Sequence, residues 1–200
     1  MKLLLIDYLK FLYWGGYKSL SFRSLWFTLR LKRCGLGLIV KKGVRINKPK
    51  QVCIGDRVCL DLYTSIHLNK ISENDPIVKI GNNVLIGAYS SIGCSNKIII
   101  EDDVMFAPHV HITDRNHSYE NVNIAINKQP ANSPGSVFIG KESWLGYGVQ
   151  VMPNVKIGKH CVIAAGSIVT RNIPDFSVAV GIPAKVIKKF NLESQKWEKI

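Results

Sequence analysis

Residues 137–170 read VFIGKESWLGYGVQVMPNVKIGKHCVIAAGSIVT and place an apolar side chain at every sixth position. The positions in this register are Ile139, Leu145, Val151, Ile157, Ile163 and Val169. An α-helix repeats every 3.6 residues and an exposed strand every two, so neither element explains a period of six. The pattern instead predicts short strands with inward-facing side chains, each followed by a corner.

The same register extends upstream through nine more apolar positions, and many of these sites are followed directly by glycine. The nine are Ile54, Leu60, Ile66, Ile80, Ile86, Ile92, Ile100, Phe106 and Ile112. Glycine suits corners where a side chain would crowd the turning backbone. Three such strands close one coil, and parallel coils stack about 4.8 Å apart. We therefore predict an all-β solenoid over residues 51–190, after an N-terminal segment (1–50) and before a short tail (191–200).

The length of 200 residues suits one domain, or one domain with an appendage. The chain holds five cysteines without a CxxC pair, and its N-terminus makes a poor secretion signal. Reduced thiols in a reducing compartment are the simplest interpretation, and we expect a cytoplasmic protein.

The formal net charge of +13 is concentrated at one end of the chain. Residues 1–50 hold 12 Lys or Arg and one acid, whereas residues 51–200 hold 15 against 13. This distribution does not favour nucleic-acid binding by the main domain. Asp7 and Lys10 interrupt the first apolar run, which is too short to span a membrane. Residues 1–45 are expected either to form amphipathic helices on an anionic membrane surface or to cap the solenoid or contact another subunit.

The six-residue pattern is interrupted in three places. There are eight extra residues between Ile66 and Ile80, two between Ile92 and Ile100, and twenty-one between Ile112 and Ile139. A stacked coil cannot absorb extra residues, so each insertion must leave it as a loop. The longest loop, at 113–137, is rich in Asn, Ser, Pro and Gly, as expected of a projecting ordered loop.

With this periodicity, the interrupting loop and the ending GIPAKVIKK, the sequence resembles the hexapeptide-repeat acyltransferases over about residues 50–190. The resemblance is to the sugar and polysaccharide O-acetyltransferase branch related to galactoside and maltose O-acetyltransferases. It implies a left-handed parallel β-helix, acetyl-CoA as co-substrate without a metal, a sugar or glycan acceptor, and a homotrimer with active sites between subunits.

Acetyl transfer to a hydroxyl needs a base, and an imidazole suits that role near neutral pH. The resemblance places the base at His117 within TDRNH. Asp114 is expected to accept from this imidazole and hold its tautomer, although a backbone carbonyl could do the same. His111 and Tyr119 are candidates for the acceptor pocket, and a plain surface role for His111 is equally open. Because no cysteine lies in a recognisable motif with histidine, we expect direct transfer in a ternary complex.

The resemblance also places the cofactor contacts after the loop. They are Gly146, Tyr147, Ala165, Gly166, Thr170, Arg171, Lys185 and Lys188. Small residues let the pantetheine arm approach the backbone, and the cations are expected to meet the phosphates. The amide near Gly146 is a candidate donor to the thioester oxygen.

The leading hypothesis is an O-acetyltransferase that acts on a sugar hydroxyl in bacterial surface polysaccharide synthesis, at the cytoplasmic face of the membrane. An N-acetyltransferase of an amino sugar or antibiotic is the alternative in the same fold. Two further alternatives are a zinc enzyme resembling the γ-class carbonic anhydrases and a non-catalytic scaffold. For His67, His109 and His160 we expect structural roles, the last two at corners.

Overall fold

The computed structural model of the chain describes residues 21–69, 77–129 and 135–200. It contains six successive coils of three short strands each. The first three coils are β1 (Arg33–Cys34), β2 (Ile39–Val40), β3 (Arg45–Ile46), β4 (Val52–Ile54), β5 (Cys59–Leu60), β6 (Ser65–Leu68), β7 (Ile77–Ile80), β8 (Leu85–Ile86) and β9 (Ser91–Cys94). The next three are β10 (Lys97–Ile100), β11 (Met105–Phe106), β12 (His111–Thr113), β13 (Ser136–Ile139), β14 (Trp144–Leu145), β15 (Gln150–Val151), β16 (Lys156–Ile157), β17 (Val162–Ile163) and β18 (Ile168–Val169).

Equivalent strands of successive coils pair in parallel and form three sheets. Sheet A contains β1, β4, β7, β10, β13 and β16, sheet B begins β2, β5, β8, β11, β14 and β17, and sheet C contains β3, β6, β9, β12, β15 and β18. The register pairs each inward-facing residue with the inward-facing residue of the next coil, as in Phe106 with Leu145 and Ile112 with Val151. All fifteen of the predicted inward sites are at most 3% exposed, which confirms the predicted coil.

The stack of coils begins before residue 51, so the predicted domain boundary is wrong. Cys34, Val40 and Ile46 continue the same register and pair with the sites of the second coil. Two extra residues separate Ile46 from the next site, and a short 3₁₀ helix at Pro49–Gln51 accommodates them. This interruption hides the first coil from a search for uninterrupted sixes.

The only described α-helix, α1 (Phe22–Arg30), packs against the first coil. The Ser21 side chain caps it by accepting from the Ser24 N–H at 3.1 Å. Phe27 is buried in the core, and the Ser24 hydroxyl accepts from the Val40 N–H at 3.0 Å. Helix α1 therefore caps the first coil, which was one of the alternatives for the N-terminal segment. Residues 1–20 of that segment lie outside the described structure. No helix in the described part of the chain is long and apolar enough to cross a membrane.

The corners between sheets combine left-handed residues with close contacts between coils. His109 and His160 have φ values of 62° and 51° and occupy corners, as expected. A Cβ on Gly140 would lie 2.5 Å from the carbonyl carbon of Gly158 in the next coil. Glycine is required there because the backbones of two coils touch.

The C-terminal residues form strands and not a tail. β19 (Ser177–Gly181) adds to sheet B beside β17 in parallel, and β20 (Ala184–Asn191) pairs with β19 in the antiparallel direction. β21 (Lys196–Lys199) completes the sheet against β20. The predicted tail at 191–200 thus belongs to a β-hairpin, which the sequence obscured because its strands are largely exposed and lack the six-residue pattern.

Candidate active site

The longest insertion leaves the coil directly after β12, and hydrogen bonds hold its base. The Gly135 N–H donates to the Asp114 carbonyl at 2.7 Å, which joins the two ends of the loop. The carboxylate of Asp114 is fully buried and accepts from the backbone N–H groups of residues 95–97, at 2.8, 2.8 and 3.0 Å. Among the described residues, this carboxylate bonds to the turn and to the Cys94 side chain, and not to His117. The expectation that Asp114 orients the His117 ring is therefore wrong, and Asp114 anchors the loop.

His117 lies on the extruded loop, is exposed, and lines a cleft of about 540 Å³ beside sheet C. The cleft is lined by His67, Asn69, Ser91, Ile92, Gly93, His111, Thr113, Arg115, Asn116 and His117. The structure thus brings His111 and His117 together, as the prediction of an acceptor pocket requires. Tyr119 is exposed nearby and is not among the lining residues.

His111 points outward from β12 and is half-buried. Its Nδ1 atom lies 2.6 Å from the Oγ atom of Ser91 on the neighbouring strand. Burial lowers the pKa of His111 below its ordinary value, because a charged imidazole would lose hydration in the cleft. The ring is therefore neutral near pH 7. Its Nε2 atom is a donor if Ser91 donates to Nδ1, and an acceptor if Nδ1 carries the proton.

A fixed cation also lines the cleft. The guanidinium of Arg115 donates to the Ser95 hydroxyl at 3.2 Å. With the amide of Asn69 oriented so that its oxygen faces Arg115, that oxygen accepts from both terminal nitrogens at 2.7 and 2.9 Å. Both partners are neutral, so the positive charge of Arg115 is held in place without being cancelled by them.

Sequence reasoning did not identify the cleft residues contributed by earlier coils. His67, assigned a structural role, is instead exposed and lines the same cleft as His117. Ser91 and Gly93 face it from the intervening strand β9. The sequence does contain a signal for these cleft residues. The residues on either side of an inward-facing position on sheet C point outward, on the face beside the loop.

The predicted cofactor residues do not all lie together in one chain. Gly146, Tyr147, Ala165 and Gly166 lie together at the corner between sheets B and C of two successive coils, where the Gly166 N–H donates to the Tyr147 carbonyl at 2.8 Å. Thr170 and Arg171 follow β18, at the opposite edge of sheet C. Lys185 and Lys188 lie on β20. Lys185 continues the row of the corner, because it pairs with Val180 on β19 and β19 pairs with β17 directly before Ala165. Thr170 and Arg171 lie outside this row within one subunit.

The backbone N–H of Gly146 is already engaged in a hydrogen bond. It donates to the Ile163 carbonyl at 2.8 Å as part of the sheet ladder, so it is not available to a thioester oxygen. A Cβ on Gly146 would lie 2.7 Å from the Ala165 amide nitrogen. The role of Gly146 is therefore to let two coils approach closely and leave the corner open.

The thiols are poorly suited to covalent catalysis. Burial raises the pKa of Cys59 to about 11 and also raises the pKa values of Cys94 and Cys161. Cys94 lies closest to the loop base, and the Asp114 carboxylate raises its pKa further. Among the described residues, no three His, Cys, Asp or Glu side chains are placed to hold a metal ion.

Comparison with known proteins identifies the class of protein. Residues 136–171 match the family described as bacterial transferase hexapeptide (six repeats). The putative lipopolysaccharide biosynthesis O-acetyl transferase WbbJ of Escherichia coli is 35% identical over 135 residues, 62% of this chain and 66% of that protein. The galactoside O-acetyltransferase of the same bacterium is 30% identical over 149 residues, 72% of each chain. The chain therefore belongs to the hexapeptide-repeat acetyltransferase family.

A solved structure agrees with the fold. AntD, an N-acyltransferase from Bacillus cereus in complex with dTDP and 3-hydroxybutyryl-CoA, matches with a TM-score of 0.71 at 21% identity. The match covers 89% of this chain and 93% of that one. The chain covers 66% of the length of WbbJ, 58% of a probable acetyltransferase of Mycobacterium tuberculosis and 44% of the galactoside O-acetyltransferase of Lactococcus lactis.

Proposed function

We propose that the protein is an acetyl-CoA-dependent O-acetyltransferase that modifies a sugar hydroxyl in bacterial surface polysaccharide synthesis, on the cytoplasmic side of the membrane. The observation that carries the proposal is the open cleft at the loop base, where His117 and His111 face the same space. The relatives named as O-acetyltransferases support the reaction class. Left-handed winding of the coils is part of the same proposal.

In this mechanism His117 is the general base. Acetyl-CoA, when bound, supplies the acetyl group as an activated thioester. His117 removes the proton from the acceptor hydroxyl as the oxygen forms a bond to the acetyl carbon, and returns that proton to the departing sulfur. The raised thiol pKa values of Cys59, Cys94 and Cys161 support direct transfer without an acyl-enzyme.

The exposed corner formed by Tyr147, Ala165 and Gly166 fits a thin amide-containing ligand, because its small residues leave the backbone accessible. Arg171, Lys185 and Lys188 supply cations for phosphates. AntD is described in complex with an acyl-CoA. Because the predicted contacts lie on different sides of one chain, we infer a homotrimer in which CoA binds between the cleft of one subunit and the corner of the next.

A peripheral membrane contact is part of the proposal. Helix α1 exposes four large apolar side chains, those of Phe22, Leu25, Trp26 and Leu29. It carries Arg23 and Arg30 but no acidic residue, and the Arg30 guanidinium lies 4.2 Å from the centroid of the Trp26 ring. Apolar and basic residues together on one exposed helix favour an anionic lipid surface.

The decisive experiment measures CoA release from acetyl-CoA with a panel of neutral sugars and matched amino sugars, for the wild type and His117→Ala. The proposal predicts turnover with neutral sugars that His117→Ala abolishes. Turnover confined to amino sugars would favour N-acetylation. If His117→Ala and the wild type turn over equally, the assignment of the base is wrong. A folded wild type that neither binds acetyl-CoA nor releases CoA would favour the scaffold.

A further inference from the structure

The cleft continues along the outer face of sheet C towards helix α1. In-register pairing places Arg45, Ser65, Ser91 and His111 in one outward row across β3, β6, β9 and β12. A second depression of about 450 Å³, at the α1 end, shares His67 with the cleft. One continuous surface therefore runs from His117 past His67 to Arg45.

This surface is cationic. Neither depression has an Asp or Glu among its described lining residues, whereas Arg115 lines the cleft and Arg23 and Arg45 line the second depression. Within the described residues, Arg23 and Arg45 form no ion pair, and Arg115 contacts only the neutral groups of Ser95 and Asn69. Uncompensated arginines along a groove are suited to phosphate, which guanidinium groups bind in a bidentate manner.

The floor of the cleft is open at Gly93. A Cβ at this residue would meet nothing closer than the Thr113 hydroxyl, at 3.6 Å. By contrast, a Cβ on the corner residue Gly87 would lie 2.5 Å from the Ala107 carbonyl carbon. Packing thus requires glycine at 87 and not at 93, and the missing side chain at 93 leaves room between His67 and Thr113.

We propose that the acceptor is a glycosyl phosphate or diphosphate, with its sugar ring over Gly93 and its phosphates bound by His67 and Arg45. This inference rests on the proposed function, since it names the substrate class of the same site. Neighbouring strands lie about 4.8 Å apart, which places the backbone of Arg45 about 14 Å from that of His111. Arg45 and His67 line the same depression within this interval, where a phosphate attached to the anomeric carbon of the sugar would lie.

The phosphate linkage has two sources, a nucleotide sugar and a prenyl-linked sugar. The test compares acetyl transfer to the same hexose as the free sugar, the 1-phosphate, the uridine diphosphate sugar and the farnesyl diphosphate sugar. We expect the phosphorylated forms to be the better acceptors. A preference for the uridine diphosphate sugar indicates that the acceptor is a nucleotide sugar. A preference for the farnesyl diphosphate sugar indicates a prenyl-linked sugar. Either preference supports the proposal.

Arg45→Gln provides the specific arm of the test, and Arg33→Gln is its matched control. Arg33 occupies the equivalent exposed position of the first coil on sheet A. Arg45→Gln should raise the KM for phosphorylated acceptors about five- to tenfold, with the KM for acetyl-CoA unchanged. Gly93→Ala should raise the KM of every acceptor and leave the melting temperature unchanged. Gly87→Ala should lower the melting temperature, because packing requires glycine there.

Failure of the proposal is distinguishable from failure of the acetyltransferase assignment. Equal use of free and phosphorylated sugars, with Arg45→Gln indistinguishable from the wild type, overturns the phosphate site and leaves acetyl transfer intact. If no acceptor is acetylated, calorimetric titration with uridine diphosphate still decides. If uridine diphosphate binds Arg45→Gln more weakly than it binds Arg33→Gln, the phosphate site is supported. If the two variants bind it equally, or if neither binds it, the phosphate site is overturned.

Discussion

The Nδ1 atom of His111 lies 2.6 Å from the Oγ atom of Ser91, which occupies the same register position on the adjacent strand. The parallel ladder thereby fixes one imidazole of the cleft. The imidazole of His117 has no hydrogen-bond partner among the described residues and lies on the loop beside this fixed ring. The two histidines are therefore expected to have different functions.

His117→Asn is expected to lower kcat about 10²- to 10⁴-fold, the usual contribution of a general base, while leaving the KM for acetyl-CoA near its wild-type value. His111→Asn is expected mainly to raise the acceptor KM, because it removes a side chain that shapes the cleft. Initial rates of CoA release measure both effects. His160→Asn is the matched control, since His160 lies at a distant corner and asparagine tolerates its left-handed backbone. A kcat loss for His111→Asn as large as that for His117→Asn would contradict this division.

The lowered pKa of His111 predicts a pH dependence of stability. Because burial depresses the folded-state pKa, the unfolded chain binds the proton more readily than the folded chain. The free energy of unfolding should therefore be highest above the unfolded pKa of about 6.5 and should fall as the pH drops through the lower folded value. Urea denaturation at several pH values, compared with His111→Gln, tests the slope, and NMR of the imidazole gives the pKa directly. An imidazole that titrates above 6.5 would show that the burial argument is wrong.

Asp114 is expected to contribute to stability and loop position, and not to proton transfer. Asp114→Ala leaves three N–H groups of the 95–97 turn without their acceptor and should cost about 2–4 kcal/mol of unfolding free energy. Asp114→Asn should cost less because one acceptor oxygen remains. Denaturation curves measure these costs. If Asp114 acted through His117 instead, Asp114→Asn would change the pH profile of kcat with little effect on stability.

The physical regularity of a feature decides how far the sequence predicts it. Phe106 and Ile112 were recognisable as core residues because every coil repeats the same inward position. The first coil escaped recognition because the insertion before Ile54 broke the count. Asp114 was assigned to His117 because separation along the chain does not show which way a side chain faces. The cleft contribution of His67 depends on stacking across coils, which becomes visible only when the register of β6 and β9 is known.

Helix α1 provides a test of the proposed membrane contact. Leu25→Ser with Leu29→Ser should lower partitioning onto phosphatidylglycerol vesicles by about tenfold or more, because each leucine contributes about 1.5–3 kcal/mol when fully buried in an apolar phase. Binding should also weaken at high salt and on phosphatidylcholine, since Arg23 and Arg30 interact with anionic headgroups. Vesicle flotation measures the bound fraction.

The matched control for this experiment is Leu36→Ser, because Leu36 is 78% exposed and lies at a corner of the first coil, outside α1. This variant should float like the wild type. Deleting residues 1–45 would be a poor substitute, because it removes β1 and β2 together with the helix. Phe27→Ala should reduce stability instead of flotation, since Phe27 faces the core. A wild type that stays in solution with phosphatidylglycerol vesicles at low salt would limit α1 to covering the first coil.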